Sequence, residues 1–492
     1  MAPRLSLRTL PDVADASAPP LDPSALEVGI MHLGIGAFHR AHQAEFTQDA
    51  MAASGDTSWG ICGVTQRSRS VLDDLEPQDG LSSVLVRSGS DESLRVNAAV
   101  RELRFALDTP DALVARLADP KVRVVTLTVT EKGYRHDPAT RRLRTDDAEV
   151  AADAAGRPPR TVVGQLVRGL AARRSADAGS VSLLPCDNLP ANGKVLAGLV
   201  SDFCGLLGDP ALAAWVEENV AFPSSMVDRI VPATTDADRS TAERMLGLRD
   251  EGVVATEPFR QWVVEDVFAA GRPSWELAGA VLTDDVTPYE AMKLRLLNGS
   301  HSTLAYLGAL AGREHISDAV ADPALAEAVS RMMRDEVTPT LAVPDGFDLP
   351  AYEQDLLRRF ANPALRHRTL QVAMDGSQKL PQRLVAVARE RLATGAQPRL
   401  SCLGIAGWMR WVTAGTTEDG RPIVVDDPLA DQLAAATAGA TTPAVVVDGL
   451  LGIRAVFGDD LGVDPEFRSL VLDSLQALTS SGVAVAVREA LR

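Results

Sequence analysis

A chain of 492 residues with ordinary apolar content and few aromatics is too long for one hydrophobic core and implies two substantial domains. Its formal charge of −17 argues against a nucleic-acid or anionic-membrane partner, so an anionic ligand has to be held by locally placed basic groups. Cys62, Cys186, Cys204 and Cys402 are widely spread with no CxxC pair, which fits reduced thiols, and no signal-peptide core or run of transmembrane length is present; a cytoplasmic protein is expected.

Residues 1–27, rich in Pro, Asp, Ala and Ser, read as an irregular arm. A short buried strand at 28–33 runs straight into Gly34-Ile35-Gly36-Ala37-Phe38-His39-Arg40, and a helix follows through His42, Phe46 and Met51. Strand, glycine turn and helix make the first unit of a dinucleotide fold, with phosphates facing helix-terminal N–H groups. His39 stands where the usual fingerprint has its third glycine, and a Gly-x-Gly alone also suits any tight turn.

A second strand fits 59–65, and its end is where an NAD enzyme usually offers an acid to the ribose hydroxyls. Here the chain reads Gln66-Arg67-Ser68-Arg69. Arginines there suit a 2′-phosphate, which keeps NADP open, or simply a solvated basic turn. Strand character returns at 82–86, at 94–100 and at 122–129, the last ending in Thr130-Glu131-Lys132-Gly133-Tyr134 at the carboxyl edge where such sheets bind ligands. Residues 136–160 read as a surface excursion. A helix at 161–174 and a strand at 180–185 lead to Cys186-Asp187-Asn188-Leu189-Pro190, where Asn188 is either a turn residue or an amide donor to substrate. Helix is expected over 194–219, and another strand over 261–266.

From 287 the pattern is overwhelmingly helical, with segments near 288–311, 323–336, 350–360, 379–393, 401–413 and 464–491. The fold class is therefore an α/β Rossmann-type dinucleotide-binding domain over 1–284, followed by a mostly α-helical substrate domain over 285–492. The first helix opens with Thr287, Pro288 and Glu290, a capping box, and is too apolar to lie on a surface. Yet Glu290, Lys293, Asn298 and His301 fall within an arc of roughly 140° at about 100° per residue. Burial of a lysine there would lower its pKa and suit it to act as a general base; capping and snorkelling are the plainer alternatives. Arg366-His367-Arg368, the run 375–383 with Lys379, and Arg410 in an apolar stretch are basic residues that could pair with a carboxylate or polyol.

With these blocks in place, the chain resembles the polyol-specific long-chain dehydrogenases, mannitol dehydrogenases and fructuronate reductases among them. The likeness runs from His32-Leu-Gly-Ile-Gly-Ala-Phe-His-Arg-Ala-His42 to Leu450-Leu-Gly-Ile-Arg-Ala-Val-Phe457, and is most specific at Lys293-x-x-x-x-Asn298-x-x-His301. The resemblance implies metal-independent hydride transfer between NAD and a secondary alcohol or ketone, with Lys293 as general base. It implies that Asn188 and Asn298 bracket the reacting oxygen, that His301 orients the substrate and that Glu290 passes the proton to solvent. It places the cofactor against Gly34, Ile35, Gly36, Ala37, Phe38 and Arg40, with Gln66, Arg67, Thr130 and Glu131 nearby. Arg366, Arg368, Lys379 and Arg410 look more like those of fructuronate reductases, which implies a uronate such as D-fructuronate over fructose, mannitol, mannitol 1-phosphate or arabinitol. Small-molecule substrates and a monomer or weak dimer complete the expectation; a cofactor-binding sensor without activity is the remote alternative.

Overall fold

The computed structural model describes residues 2–137, 140–344 and 346–492. The chain divides into two compact units, Met1–Thr287 and Pro288–Arg492. In the first, the strands are β1 Val28–Leu33, β2 Gly60–Thr65, β3 Ser82–Ser88, β4 Asp91–Asn97, β5 Val100–Phe105, β6 Val124–Leu127, β7 Val181–Pro185, β8 Val220–Ala221, β9 Ser225–Asp228, β10 Val254–Thr256, β11 Gln261–Glu265 and β12 Val281–Thr283.

Six of them form a parallel sheet in the order β5-β2-β1-β6-β7-β8. β1, β2 and β7 are buried along their whole length, as their continuous apolar runs require in a sheet covered on both faces. One face packs Leu33, Val64, Leu127 and Leu183 against Leu166 of the helix Val162–Ser175 and Leu196, Leu199 and Phe203 of the helix Asn192–Leu207. The other packs Ile30, Ile61 and Leu184 against Phe46 and Met51 of the helix Gln43–Ser54, with Trp262 and Trp275 behind them. Strand order reverses between β1 and β6, so the crevice at their carboxyl ends is the topological switch point of this Rossmann-like sheet.

Three expected elements are each interrupted. The strand expected over 94–100 is two strands: Asn97 Oδ1 accepts the Ala99 N–H at 3.0 Å, and this local turn ends β4 before β5 begins. β4 pairs antiparallel with β3 in a small sheet of its own, β10-β3-β4. The helix expected over 194–219 breaks at Gly208, whose φ of +65° closes the first half, while Asp209 caps the second through the Leu212 N–H. Gly482 divides 464–491 in the same way, at φ +78°.

The second unit is helical around one buried rod, Thr287–Met292 continuing through Lys293–Asn298 into Gly299–Leu310. Every residue of Gly299–Leu310 is buried. The helix Arg399–Thr413 crosses it closely because Gly404 and Gly407 face it: a Cβ on Gly404 would sit 2.6 Å from Thr303 Oγ1, and one on Gly407 3.0 Å from Leu307 Cδ2. Buried Glu336 holds the start of that helix, accepting the N–H groups of Leu400 and Ser401 at 2.8 Å each. Among the described residues no helix is long and apolar enough to cross a membrane.

Candidate active site

In the N-terminal unit, the sequence-predicted residues gather at the carboxyl edge of the sheet. Gly34 leaves β1 at φ +106°, and a Cβ there would lie 2.3 Å from the Thr128 carbonyl oxygen. Only glycine lets the two loops at the switch point touch. Gly36 is different. Its φ of −93° suits any residue, and a Cβ would meet nothing nearer than the Gly34 carbonyl oxygen at 3.7 Å. The fold itself does not demand a glycine there, and the bare backbone leaves room for a phosphate to be laid against it.

Beneath the turn, Ile35 is buried and the His39 ring stacks on His32 of β1 at 3.4 Å between centroids. His32 is fixed by Thr126 and Thr128 hydroxyls at 2.7 and 2.9 Å. A stacked imidazole pair thus makes the helix–strand contact that the third fingerprint glycine otherwise allows. Arg40 is buried and directed inward, its guanidinium donating to the carbonyl oxygens of Gly36 and Gly252. Ala37 and Phe38 are half-buried, Phe38 stacking on His42 at 5.0 Å. After β2, Gln66 is half-buried with its Nε2 buried and unpartnered, and Arg67 is exposed. Arg69, which follows, is occupied by Asp73, Glu76 and Asp108.

The loops after β6 and β7 are tied together by Tyr134, whose hydroxyl donates to Asp187. Thr130 is exposed at the head of the turn Glu131–Tyr134; the side chain of Glu131 lies outside the described residues. Asn188 is exposed on the second loop. Its position depends on buried Asn192, whose Nδ2 donates to Ser225, Pro185 and Asp187 carbonyl oxygens at 3.0, 3.3 and 3.4 Å while its Oδ1 accepts the Ser225 N–H.

In the helical unit, Glu290, Lys293, Asn298 and His301 are all on the central rod and all more than nine-tenths buried. Lys293–Asn298 is a π turn, with the Gly299 N–H donating five residues back to the Leu294 carbonyl oxygen. In an α-helix, residues five apart stand about 140° around the axis from one another. A π turn, with its i→i+5 bonds, narrows that angle and brings position 298 nearer the side of the rod that carries position 293.

His301 stacks on Phe360 at 5.3 Å and meets the edge of His367 at 4.7 Å. Its imidazole is held well below the usual histidine range by burial first, and then by the cationic fields of His367, Arg383, Arg359 and Lys379. It is therefore neutral at physiological pH, with its buried Nε2 lacking a protein partner. Lys379 is half-buried and donates to the Val372 and Met374 carbonyl oxygens. Arg410 is half-buried, and Arg366 and Arg368 are exposed; from that run it is His367 that turns toward His301.

Residues 28–277 match the family model described as Mannitol dehydrogenase Rossmann domain, and residues 285–479 the one described as Mannitol dehydrogenase C-terminal domain. The chain belongs to the mannitol dehydrogenase family. It is 44% identical to the uncharacterized oxidoreductase YdfI of Escherichia coli K12, covering 96% of this chain and 97% of that one. Identity to the D-mannonate oxidoreductase of the same organism is 42%, over 94% and 96% of the two chains. The mannitol 2-dehydrogenase of Pseudomonas fluorescens, solved as a ternary complex with NAD and D-mannitol, superposes with a TM-score of 0.90 at 35% identity, over 99% of both chains.

Four residues of this family member escaped the sequence reading as site elements. Asn192 and Phe360 carry no motif signal, and Arg359 looks like any helix-surface arginine until the fold buries it. Arg383 lay within the basic run 375–383, but nothing in the run shows that it faces Asn298 and Ser302, as it does here.

Proposed function

We infer that this protein is an NAD(H)-dependent oxidoreductase that interconverts a secondary alcohol and a ketone on a sugar-derived acid, D-fructuronate and D-mannonate being the favoured pair. The observation that carries the reading is the buried set Glu290, Lys293, Asn298 and His301 on one rod, with Arg359, Lys379 and Arg383 bearing on His301. Neutral His301 donates or accepts a hydrogen bond without competing for the proton in transfer. The surrounding cations favour a carboxylate-bearing substrate over a neutral polyol.

A bound nicotinamide would supply the hydride donor and acceptor for the substrate carbon. In the direction of reduction, the Lys293 ammonium gives its proton to the ketone oxygen; in oxidation the amine takes it back. The amide groups of Asn188 and Asn298 donate to that oxygen while negative charge builds on it, an effect worth about a hundredfold or more in a dry site. Glu290 relays the proton between Lys293 and solvent. Cys62, Cys186, Cys204 and Cys402 are buried and unbridged, in keeping with a reducing, cytoplasmic setting.

A second reading, mannitol 2-dehydrogenase, is favoured by the likeness to the Pseudomonas fluorescens enzyme. Turnover of D-fructuronate and D-fructose side by side, each with NADH and NADPH, separates the two. A higher kcat/KM for fructuronate with NADH supports the uronate reading; preference for fructose replaces it with the second, and a preference for NADPH gives the Arg67 turn a 2′-phosphate to hold.

A further inference from the structure

A second π turn, Pro381–Val385, packs against the Lys293–Asn298 turn. The contact is close because Gly299 has no side chain: a Cβ there would lie 3.1 Å from the Arg383 carbonyl oxygen. From that seat the Arg383 side chain reaches back onto the rod. Its Nη1 donates to Ser302 Oγ at 3.0 Å and, at the long limit of 3.5 Å, to the Asn298 carbonyl oxygen. One residue thus grips the rod on both sides of Gly299, where π geometry returns to α.

We propose that Arg383, seated on Gly299, is the positioning residue that pins the π turn to residues 293–298. This rests on the reading of Lys293 as the proton-transfer residue. The fully buried helix Gly299–Leu310 fixes the phase of the rod downstream, so an extra residue has to be accommodated somewhere before it. Packing of that helix alone does not say where. If the wide turn slid toward residue 302, the stretch 293–298 would become α-helical and Asn298 would stand about 140° around the axis from Lys293. A guanidinium bound to both the Asn298 carbonyl and the Ser302 hydroxyl, with backbone against backbone at Gly299, opposes that slide. Arg383 acts through the rod that carries Lys293 and Asn298.

The experiment compares wild type, Lys293→Ala, Arg383→Met, Arg383→Lys and Gly299→Ala for kcat, KM and NADH affinity, with D-fructuronate, D-fructose and D-mannitol as substrates. Arg383→Met is expected to lower kcat by about a hundredfold, the scale of a misplaced catalytic group, with NADH affinity within about twofold. Added guanidinium restores part of that loss, and Arg383→Lys falls between. Gly299→Ala improves intrinsic helix propensity, so a purely structural glycine would leave kcat unchanged and the melting temperature equal or higher. The lock predicts a lower kcat instead. If Arg383→Met fails to fold, Gly299→Ala decides. Unchanged kcat in the folded Arg383 variant, or in Gly299→Ala where it alone is folded, overturns the lock while leaving the proposed function intact, provided Lys293→Ala is inactive. A wild type inactive on all the substrates, or an active Lys293→Ala, overturns the underlying reading and the lock with it.

Discussion

Lys293 and Asn298 open and close a single π turn, so an amine and an amide five residues apart come closer to one side of the buried rod than an α-helix would place them. Regular α-geometry would set them on different sides.

Substitutions at Gly34 and Gly36 are expected to separate folding from cofactor binding. Gly34→Ala forces a Cβ against the Thr128 carbonyl oxygen at a positive φ, and should cost about 1–3 kcal/mol of stability, read as a lower urea midpoint. Gly36→Val meets no such wall and should melt near wild type, yet weaken NADH binding by about tenfold or more because the side chain fills the space for the pyrophosphate.

The buried imidazoles are expected to make the protein acid-sensitive. Burial presses His32 and His42 down to about 3, and His39 and His301 well below the usual range. Above the unfolded value of about 6.5 these groups leave stability unchanged with pH. Below it the unfolded chain takes up protons that the fold refuses, so stability falls by about 1.4 kcal/mol per pH unit for each such histidine, down to its folded pKa. Urea unfolding across the range from neutral to mildly acid pH should show this slope. Replacing His39 with Phe keeps a ring against His32, and the slope should become shallower by one histidine.

What the sequence made legible was the part governed by local pattern. A hydrophobic run into Gly34-Ile-Gly36 identifies the first strand and turn, and polar residues inside an otherwise apolar helix mark Glu290, Lys293, Asn298 and His301 as buried. The π turn left no such trace, because the same residues Lys293-Leu-Arg-Leu-Leu-Asn298 suit an α-helix equally well. The split between β4 and β5 hangs on one side-chain turn at Asn97 in a run of strand formers. Arg366 and Arg368 drew attention by charge, while His367 between them makes the inward contact, after a left-handed Arg366 at φ +46°. Arg359 and Arg383 reach the site only through tertiary packing.

Asn192 should matter more than an unmarked residue suggests. Its removal takes the side-chain acceptor from the Ser225 N–H and a donor from the Ser225 and Asp187 carbonyls, while the Pro185 carbonyl keeps the Ser225 hydroxyl at 2.7 Å. Asn192→Ala is expected to destabilise by about 1–3 kcal/mol and to lower kcat through displacement of Asn188. Chemical denaturation and steady-state kinetics on the same preparation measure both. A stability loss with kcat intact would detach Asn188 from the reaction.

The most direct measurement compares single-turnover reduction of D-fructuronate by NADH in wild type and Lys293→Ala, with NADH binding titrated in parallel. Loss of the proton donor predicts a rate lower by about a hundred- to ten-thousandfold, with NADH affinity essentially unchanged. A variant that still turns over near the wild-type rate at every pH would contradict the assignment of Lys293, and with it the reaction proposed for this chain.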